Sequence, residues 1–241
     1  MILKTRAIVL RMIKFGDTKF VVDMLTEELG RVPFIVPAPR SPKSKMKRQF
    51  FQPLSMLDVA LEYKPKAALQ RLRDVAVAVP FVDIPFSAYK MAIAMFLAEF
   101  LYYSTRNEQE NKKLFLFLAN SIEWLDGATG NFSNFHVVFM IRLSLFLGFF
   151  PNVEEYADGE YFDLEEGAFV SYAPLHSHYL NQEDSLRMRN LMRLRYETMA
   201  VYAMSHQERY RCVEVILEYF RLHIPNFPEM KTLPVLKELF A

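Results

Sequence analysis

The chain has 241 residues, with 29 Lys and Arg against 28 Asp and Glu, which gives a formal net charge of +1. Hydrophobic residues make up 52%, enough for a sizeable core, so the composition excludes wholesale disorder. The single cysteine, Cys212, excludes an internal disulfide, a multi-cysteine zinc finger and a cysteine-ligated iron–sulfur cluster, and it is typical of a reducing, cytoplasmic setting.

Positive charge is concentrated in the first third of the chain. Residues 1–80 carry a balance of +8, whereas residues 81–241 carry −7. A basic segment of this kind is a candidate for binding a polyanion, with chance segregation of solvated charge as the alternative. Pro80 and Pro85 mark a short linker at the change. We therefore predict two domains, residues 1–80 and residues 81–241.

Short runs of alternating hydrophobicity dominate the basic segment. They predict five strands and no long helix, a pattern typical of a small β-barrel. The predicted strands cover residues 5–11, 19–25, 32–36, 54–63 and 72–79.

A basic loop interrupts these strands at residues 40–48, with five positive charges in nine residues and no acid. Cations at this density suit a row of phosphates, because neutralising phosphates releases condensed counterions. We predict a phosphate-contacting surface made of Arg40, Lys43, Lys45, Lys47 and Arg48, with Arg31 nearby; a flexible basic surface loop without such a role is the alternative. The following Phe50 and Phe51 either enter the core or stack on bases.

After Pro85 the hydrophobic period becomes helical. Apolar spacing predicts helices over residues 86–105, 107–125, 131–149, 183–204 and 207–223, which form a helical bundle. The longest apolar stretches fall short of a membrane span, so we expect no membrane contact. Four arginines between residues 187 and 195 either extend a basic track or pair with nearby acids.

Neither a glycine-rich phosphate loop nor a nucleophile or zinc-protease motif occurs in the sequence. His176 and His178 lack a third ligand nearby, and the acidic stretch 154–166 does not match the spacing of a calcium loop. We therefore predict a non-enzymatic protein without a metal or cofactor. A nuclease that holds Mg²⁺ in the acidic stretch is a weaker alternative.

Several motifs are similar to those of the RecO family of bacterial recombination mediators. In the first 60 residues they are Ala7-Ile8-Val9-Leu10, Asp17, Leu25-Thr26-Glu27-Glu28-Leu29-Gly30-Arg31, Arg40, Lys43-Ser44-Lys45 and Gln52-Pro53-Leu54. The weaker matches further on are Phe139, Leu143, Leu147-Gly148-Phe149, Pro151, Phe162-Asp163, Gly167-Ala168-Phe169, Lys231-Thr232-Leu233 and Leu236.

The resemblance implies an α+β protein, with a five-stranded OB-fold barrel followed by an all-α helical domain. It also implies a non-catalytic repair role: binding single- and double-stranded DNA, annealing complementary strands, and helping to load RecA onto SSB-coated DNA with RecR. The helical domain would bind the C-terminal tail of SSB, and Arg142 is the first candidate for its anchor. A protein–protein adaptor without direct DNA contact is the alternative.

The chain departs from the family in two places. Many members carry cysteine pairs that bind zinc in the region of residues 152–179, where this chain has none, so we do not carry the zinc over. The glycine that usually stands two residues before the loop arginine is replaced, with Pro37-Ala38-Pro39 leading to Arg40.

Overall fold

In a computed structural model, the described residues are 2–38, 46–152 and 156–239. Contacts between residues group the chain into two compact units. One extends to Gly127 and includes Met230–Leu239, and the other is Ala128–Glu229. Grouping by contacts places the barrel together with the helices packed on it, so it does not test the domain boundary predicted near residue 80. That boundary stays a prediction.

The first unit contains five long strands: β1 (Ile2–Phe15), β2 (Lys19–Thr26), β3 (Gly30–Pro37), β4 (Met56–Glu62) and β5 (Gln70–Val79). They form a closed barrel with strand order β1-β2-β3-β5-β4. The neighbouring strands are antiparallel except β3 and β5, which pair in parallel with Phe34 opposite Gln70 and Ile35 opposite Arg71. The predicted five-stranded barrel is confirmed.

Inward-facing side chains of all five strands fill the barrel. Val22, Met24 and Phe34 are fully buried, and burying a side chain of this size contributes roughly 1.5–3 kcal/mol. A 3₁₀ turn at Arg48–Phe51 adds Phe51, which is 3% exposed, while Phe50 packs partly buried on the same core. Of the two alternatives for these phenylalanines, the structure therefore shows core packing.

Three helices belong to the same unit: α1 (Ala88–Ser104), α2 (Lys112–Gly127) and α6 (Leu233–Leu239). Ser87 caps α1, which buries apolar residues on most of its faces. The carboxylate of Glu99 on α1 accepts hydrogen bonds from the backbone N–H groups of Lys231 and Thr232, at 3.1 and 2.8 Å, and from the Thr232 hydroxyl. These bonds hold the start of α6 on α1.

The second unit contains α3 (Phe135–Leu147), α4 (Gln182–Arg193) and α5 (His206–His223). It also contains three short strands, β6 (Tyr161–Asp163), β7 (Ala168–Val170) and β8 (Tyr179–Leu180). They form a small sheet of order β7-β6-β8, which the prediction of an all-α domain missed. Within the described ranges, no helix has the length and apolarity needed to cross a bilayer.

The helix predicted to run to residue 204 ends at Arg193, so that part of the prediction is wrong. The chain becomes extended at Leu194. The amide of Asn134, at the start of α3, donates to the carbonyls of Met199 and Tyr202, at 3.2 and 2.8 Å. These carbonyls therefore accept hydrogen bonds from a distant side chain instead of from backbone N–H groups of a longer helix.

A buried carboxylate organises the segment between the barrel and α1. Asp126 accepts hydrogen bonds from the backbone N–H groups of Val82, Asp83 and Ile84, at 2.6–2.9 Å. Lys90, 1% exposed, donates to the Asp126 carbonyl and lies 2.7 Å from the Asp83 carboxylate. The end of α2 therefore fixes the entry to α1.

Removing the Asp126 carboxylate leaves three backbone donors without their acceptor. We expect Asp126→Ala to lower the free energy of unfolding by about 3 kcal/mol, and Asp126→Asn to lower it less because one side-chain oxygen remains. Urea unfolding followed by circular dichroism measures both. Asp17→Ala is the control, since its side chain is 97% exposed; equal losses at the two aspartates would contradict this role for Asp126.

Candidate nucleic-acid interface

A groove of about 520 Å³ lies where β3 and β5 close the barrel. Both apolar side chains and cations line it, a combination that suits a ligand with charged parts and flat apolar parts. The lining residues are Lys19, Ile35, Pro37, Met46, Arg71, Leu72 and Arg73.

Strand alternation explains why the cations point outward. On β5 the side chains of Gln70 and Leu72 are 5% and 3% exposed, so those of Arg71 and Arg73 lie on the opposite, outer face. Lys19 on β2 stands opposite Pro37 on β3. The ladder of β3 thus brings Lys19 and Arg71 to the same groove although they are far apart in sequence.

Gln70 also fixes the loop between β4 and β5. Its buried amide accepts a hydrogen bond from the N–H of Lys64 at 2.9 Å and donates to the carbonyls of Lys64 and Ala67, at 2.8 and 3.1 Å. These bonds add to the backbone hydrogen bond from the N–H of Ala67 to the carbonyl of Lys64, at 3.0 Å. Lys64 and Lys66 are therefore presented on an ordered turn and are both exposed.

The cations of this region differ in their partners. Arg73 forms an ion pair with Glu62, which lowers the pKa of that carboxyl, and Lys64 lies 3.8 Å from the same group. Lys19 and Arg71 are exposed and have no ion-pair partner among the described residues. Their charges are thus available to a ligand.

Described residues on either side of the segment 39–45, which contains most of the predicted basic loop, line this groove. Arg40, Lys43 and Lys45 lie outside the described residues. Lys47 and Arg48 are exposed, and the Arg48 guanidinium lies 5.8 Å from the centre of the Phe20 ring. Pro37 and Met46, on either side of the undescribed segment, both line the groove. The role of Arg40, Lys43, Lys45, Lys47 and Arg48 in a DNA-binding surface stays a prediction.

Arg31 lies apart from that surface, inside the first unit. Its side chain is 8% exposed, its Nη2 is 3.2 Å from Asp23, and Nη1 donates to the carbonyl of Tyr102. The guanidinium lies 4.1 Å from the Tyr102 ring centre. Arg31 thus links the barrel to α1. Because its guanidinium binds groups of this same chain, the proposed DNA surface does not contain Arg31.

Gly30 allows the start of β3 to lie close to the segment between α1 and α2. It has φ of +67°, and a Cβ there would come within 2.4 Å of the Gln109 backbone, which only glycine avoids. The N–H of Arg31 then donates to the carbonyl of Glu108 at 3.0 Å.

Arg142 lies on α3 and is partly buried. Its Nε and Nη2 donate to the carbonyl of Leu194 at 3.2 and 2.9 Å, directly after α4. This contact caps the end of α4 and engages two of the donors of the guanidinium. A role in holding a partner's tail stays a prediction.

One arginine of α4 follows the predicted pairing with nearby acids, and a basic track on this helix stays a prediction. Arg187 pairs with Glu183, Asp184 and Glu208 at 3.0–3.5 Å, as expected for charges that neutralise each other. Arg193 is exposed in the last turn.

The histidines predicted to be poor metal ligands pair with acids. His176 Nε2 lies 3.2 Å from Asp163, and His178 Nδ1 lies 3.1 Å from Glu218. Within residues 2–38, 46–152 and 156–239, no group of three or more His, Cys, Asp or Glu side chains is arranged to hold a metal ion.

The sequence-based prediction missed Lys19, Arg71 and Arg73. The alternation in Gln70-Arg71-Leu72-Arg73 already indicates two arginines on the outer face of a strand. The pairing of β3 with β5, which brings them to Lys19, is not visible in local sequence.

Comparisons with known proteins cover nearly the whole chain. A family model described as Recombination protein O N terminal matches residues 1–81, and one described as Recombination protein O C terminal matches residues 86–232. Proteins named DNA repair protein RecO from Phocaeicola vulgatus and Bacteroides fragilis are 48% and 47% identical, with 100% of both chains covered. The protein of that name from Porphyromonas gingivalis is 30% identical with the same coverage.

The different environments of Arg31 and Arg71 predict different effects on stability. We expect Arg31→Met to lower the free energy of unfolding by about 3 kcal/mol, because Asp23 and the Tyr102 carbonyl lose their donor. Arg71→Met is the matched control and should change it by less than about 0.5 kcal/mol. Urea unfolding measures both, and equal effects would contradict the assignment of Arg31 to the interior.

Proposed function

The chain belongs to the recombination protein O family of DNA repair proteins, and from that membership we propose that it is a non-catalytic mediator that binds single- and double-stranded DNA. In this proposal it works in the cytoplasm and anneals complementary strands. With RecR as partner it helps to load RecA onto SSB-coated DNA.

The groove at the β3–β5 closure is the observation that carries the DNA-binding part. Lys19 and Arg71 present charges without an ion-pair partner among the described residues, and phosphates binding there would release their condensed counterions. The apolar side chains of Ile35, Pro37 and Met46 offer a surface on which bases can lie. Proteins that bind single strands combine a positively charged groove with side chains, usually aromatic, on which the bases stack.

Annealing requires two polyanions to approach each other closely. Cations of the groove and of the basic loop lower that repulsion when they lie between the two backbones. The loop cations Arg40, Lys43, Lys45, Lys47 and Arg48 extend the charge of the groove in this proposal. Contacts of this kind position the strands without reading bases, so annealing would be independent of sequence.

Reversing the two available groove charges tests this function. We expect Lys19→Glu/Arg71→Glu to weaken DNA binding roughly tenfold or more and to reduce the salt slope of log K by about 1.4–1.8, because two phosphate contacts are lost. Fluorescence anisotropy with a labelled oligonucleotide at several salt concentrations measures both quantities.

The matched control is Arg193→Glu/Arg195→Glu, which reverses the same number of exposed charges on and after α4. It should keep wild-type affinity and slope. If the control weakens binding and the groove variant does not, DNA binds at α4. Wild-type protein that fails to bind DNA at low salt would support the adaptor function.

The partner-binding part of the proposal concerns the C-terminal tail of SSB. A peptide with a terminal carboxylate suits an arginine beside apolar surface, since the guanidinium can hold the carboxylate by two parallel hydrogen bonds. Arg142 is the first candidate, although Leu194 already engages two of its donors.

We expect Arg142→Ala to weaken binding of an SSB-tail peptide by about tenfold, the size of one charge-assisted hydrogen bond. Arg142→Lys should lose less, because it keeps the charge. Isothermal titration calorimetry measures the affinities, and circular dichroism checks that α4 is intact. Wild-type affinity in a folded Arg142→Ala protein would exclude Arg142 as the anchor.

A further inference from the structure

An aromatic side chain stands exposed at the tip of the β1–β2 hairpin. Phe15, the last residue of β1, is 51% exposed, and the turn after it contains Gly16 with φ of +62°. The carbonyl of Thr18 accepts a hydrogen bond from the N–H of Ala38 at 2.8 Å. The tip is therefore held against the end of β3.

The strand register places Phe15 beside the groove. Phe15 is opposite Lys19 in the β1–β2 ladder, and Lys19 is opposite Pro37 in the β2–β3 ladder. Directly opposed residues lie on the same face of a sheet, within about 5.5 Å between Cβ atoms. Phe15, Lys19 and Pro37 thus form one row, and the last two line the groove.

Phe15 makes no contribution to the core that would explain an aromatic residue here. Its neighbour across the turn, Phe20, faces the other side of the sheet and packs on the barrel core. Instead, Phe15 lies beside the exposed Lys19, its partner in the β1–β2 ladder, so its ring stands next to one cation of the groove. A phosphate held by Lys19 would bring the attached base near the ring.

We propose that Phe15 stacks on an unpaired base and gives the groove a preference for single-stranded over duplex DNA. This inference rests on the DNA binding proposed above and assigns its strand preference to one side chain. In single-stranded DNA a base can turn its face to the ring. In a duplex the base faces are stacked on one another, so no base face is accessible to the Phe15 ring.

Phe15→Ala removes the ring, and Phe15→Leu keeps an apolar side chain without the aromatic face. We expect both variants to bind a thymidine oligonucleotide roughly five- to a hundredfold more weakly than wild type, the range of one lost stacking contact. Binding to an abasic oligonucleotide of the same length and to duplex DNA should change less than twofold. Phe15→Trp should retain wild-type affinity for all three.

Phe86→Ala is the matched control, because Phe86 is 82% exposed in the same unit but does not line the groove. It should leave all three affinities unchanged. Fluorescence anisotropy at one salt concentration measures them, and circular dichroism confirms folding.

Three other outcomes would contradict, respectively, the role of Phe15, the stacking interaction and the proposed function. Wild-type affinity of Phe15→Ala for the thymidine oligonucleotide would overturn the role of Phe15 and leave the groove function standing. Equal losses on the abasic strand and the duplex would overturn stacking and show that Phe15 only shapes the hairpin. Failure of wild type to bind any of the three DNAs would overturn the proposed function itself.

Discussion

The parallel pairing of β3 with β5 is the contact on which both the barrel and its groove depend. It closes the barrel through Phe34 opposite Gln70 and Ile35 opposite Arg71, and so completes the burial of the core. Alternation along β5 directs Gln70 and Leu72 inward, and Arg71 and Arg73 line the groove together with Lys19. One backbone register therefore determines the core and the position of the available charges.

The net charge of the basic N-terminal segment overstates the number of cations that are available to bind a polyanion. Arg6 is paired with Glu27, Arg73 with Glu62, and Arg31 with Asp23. Arginine can serve in either role because its stem packs on apolar surface while its fork binds planar acceptors. Exposure and partners distinguish the structural cations from those that remain for a ligand, which include Lys19 and Arg71 together with the exposed Lys47 and Arg48.

Local patterns predicted most of the elements, because alternation and helical spacing act over a few residues. They failed where distant contacts compete: α4 ends at Arg193 because Asn134 and Arg142 bind the carbonyls beyond it. The strands β6 to β8 are two or three residues long, too short for a periodic pattern. The basic loop dominated the predicted site because its charges adjoin in sequence, whereas Lys19 and Arg71 adjoin only after the barrel closes.

The central claim is that DNA follows the groove along β2, β3 and β5. Photo-cross-linking of a single strand carrying 5-iododeoxyuridine, with the adducts mapped by mass spectrometry, tests it most directly. The groove account predicts adducts in the peptides that contain Phe15, Lys19 and Arg71. Adducts confined to α4 and α5, with none in the barrel, would contradict it.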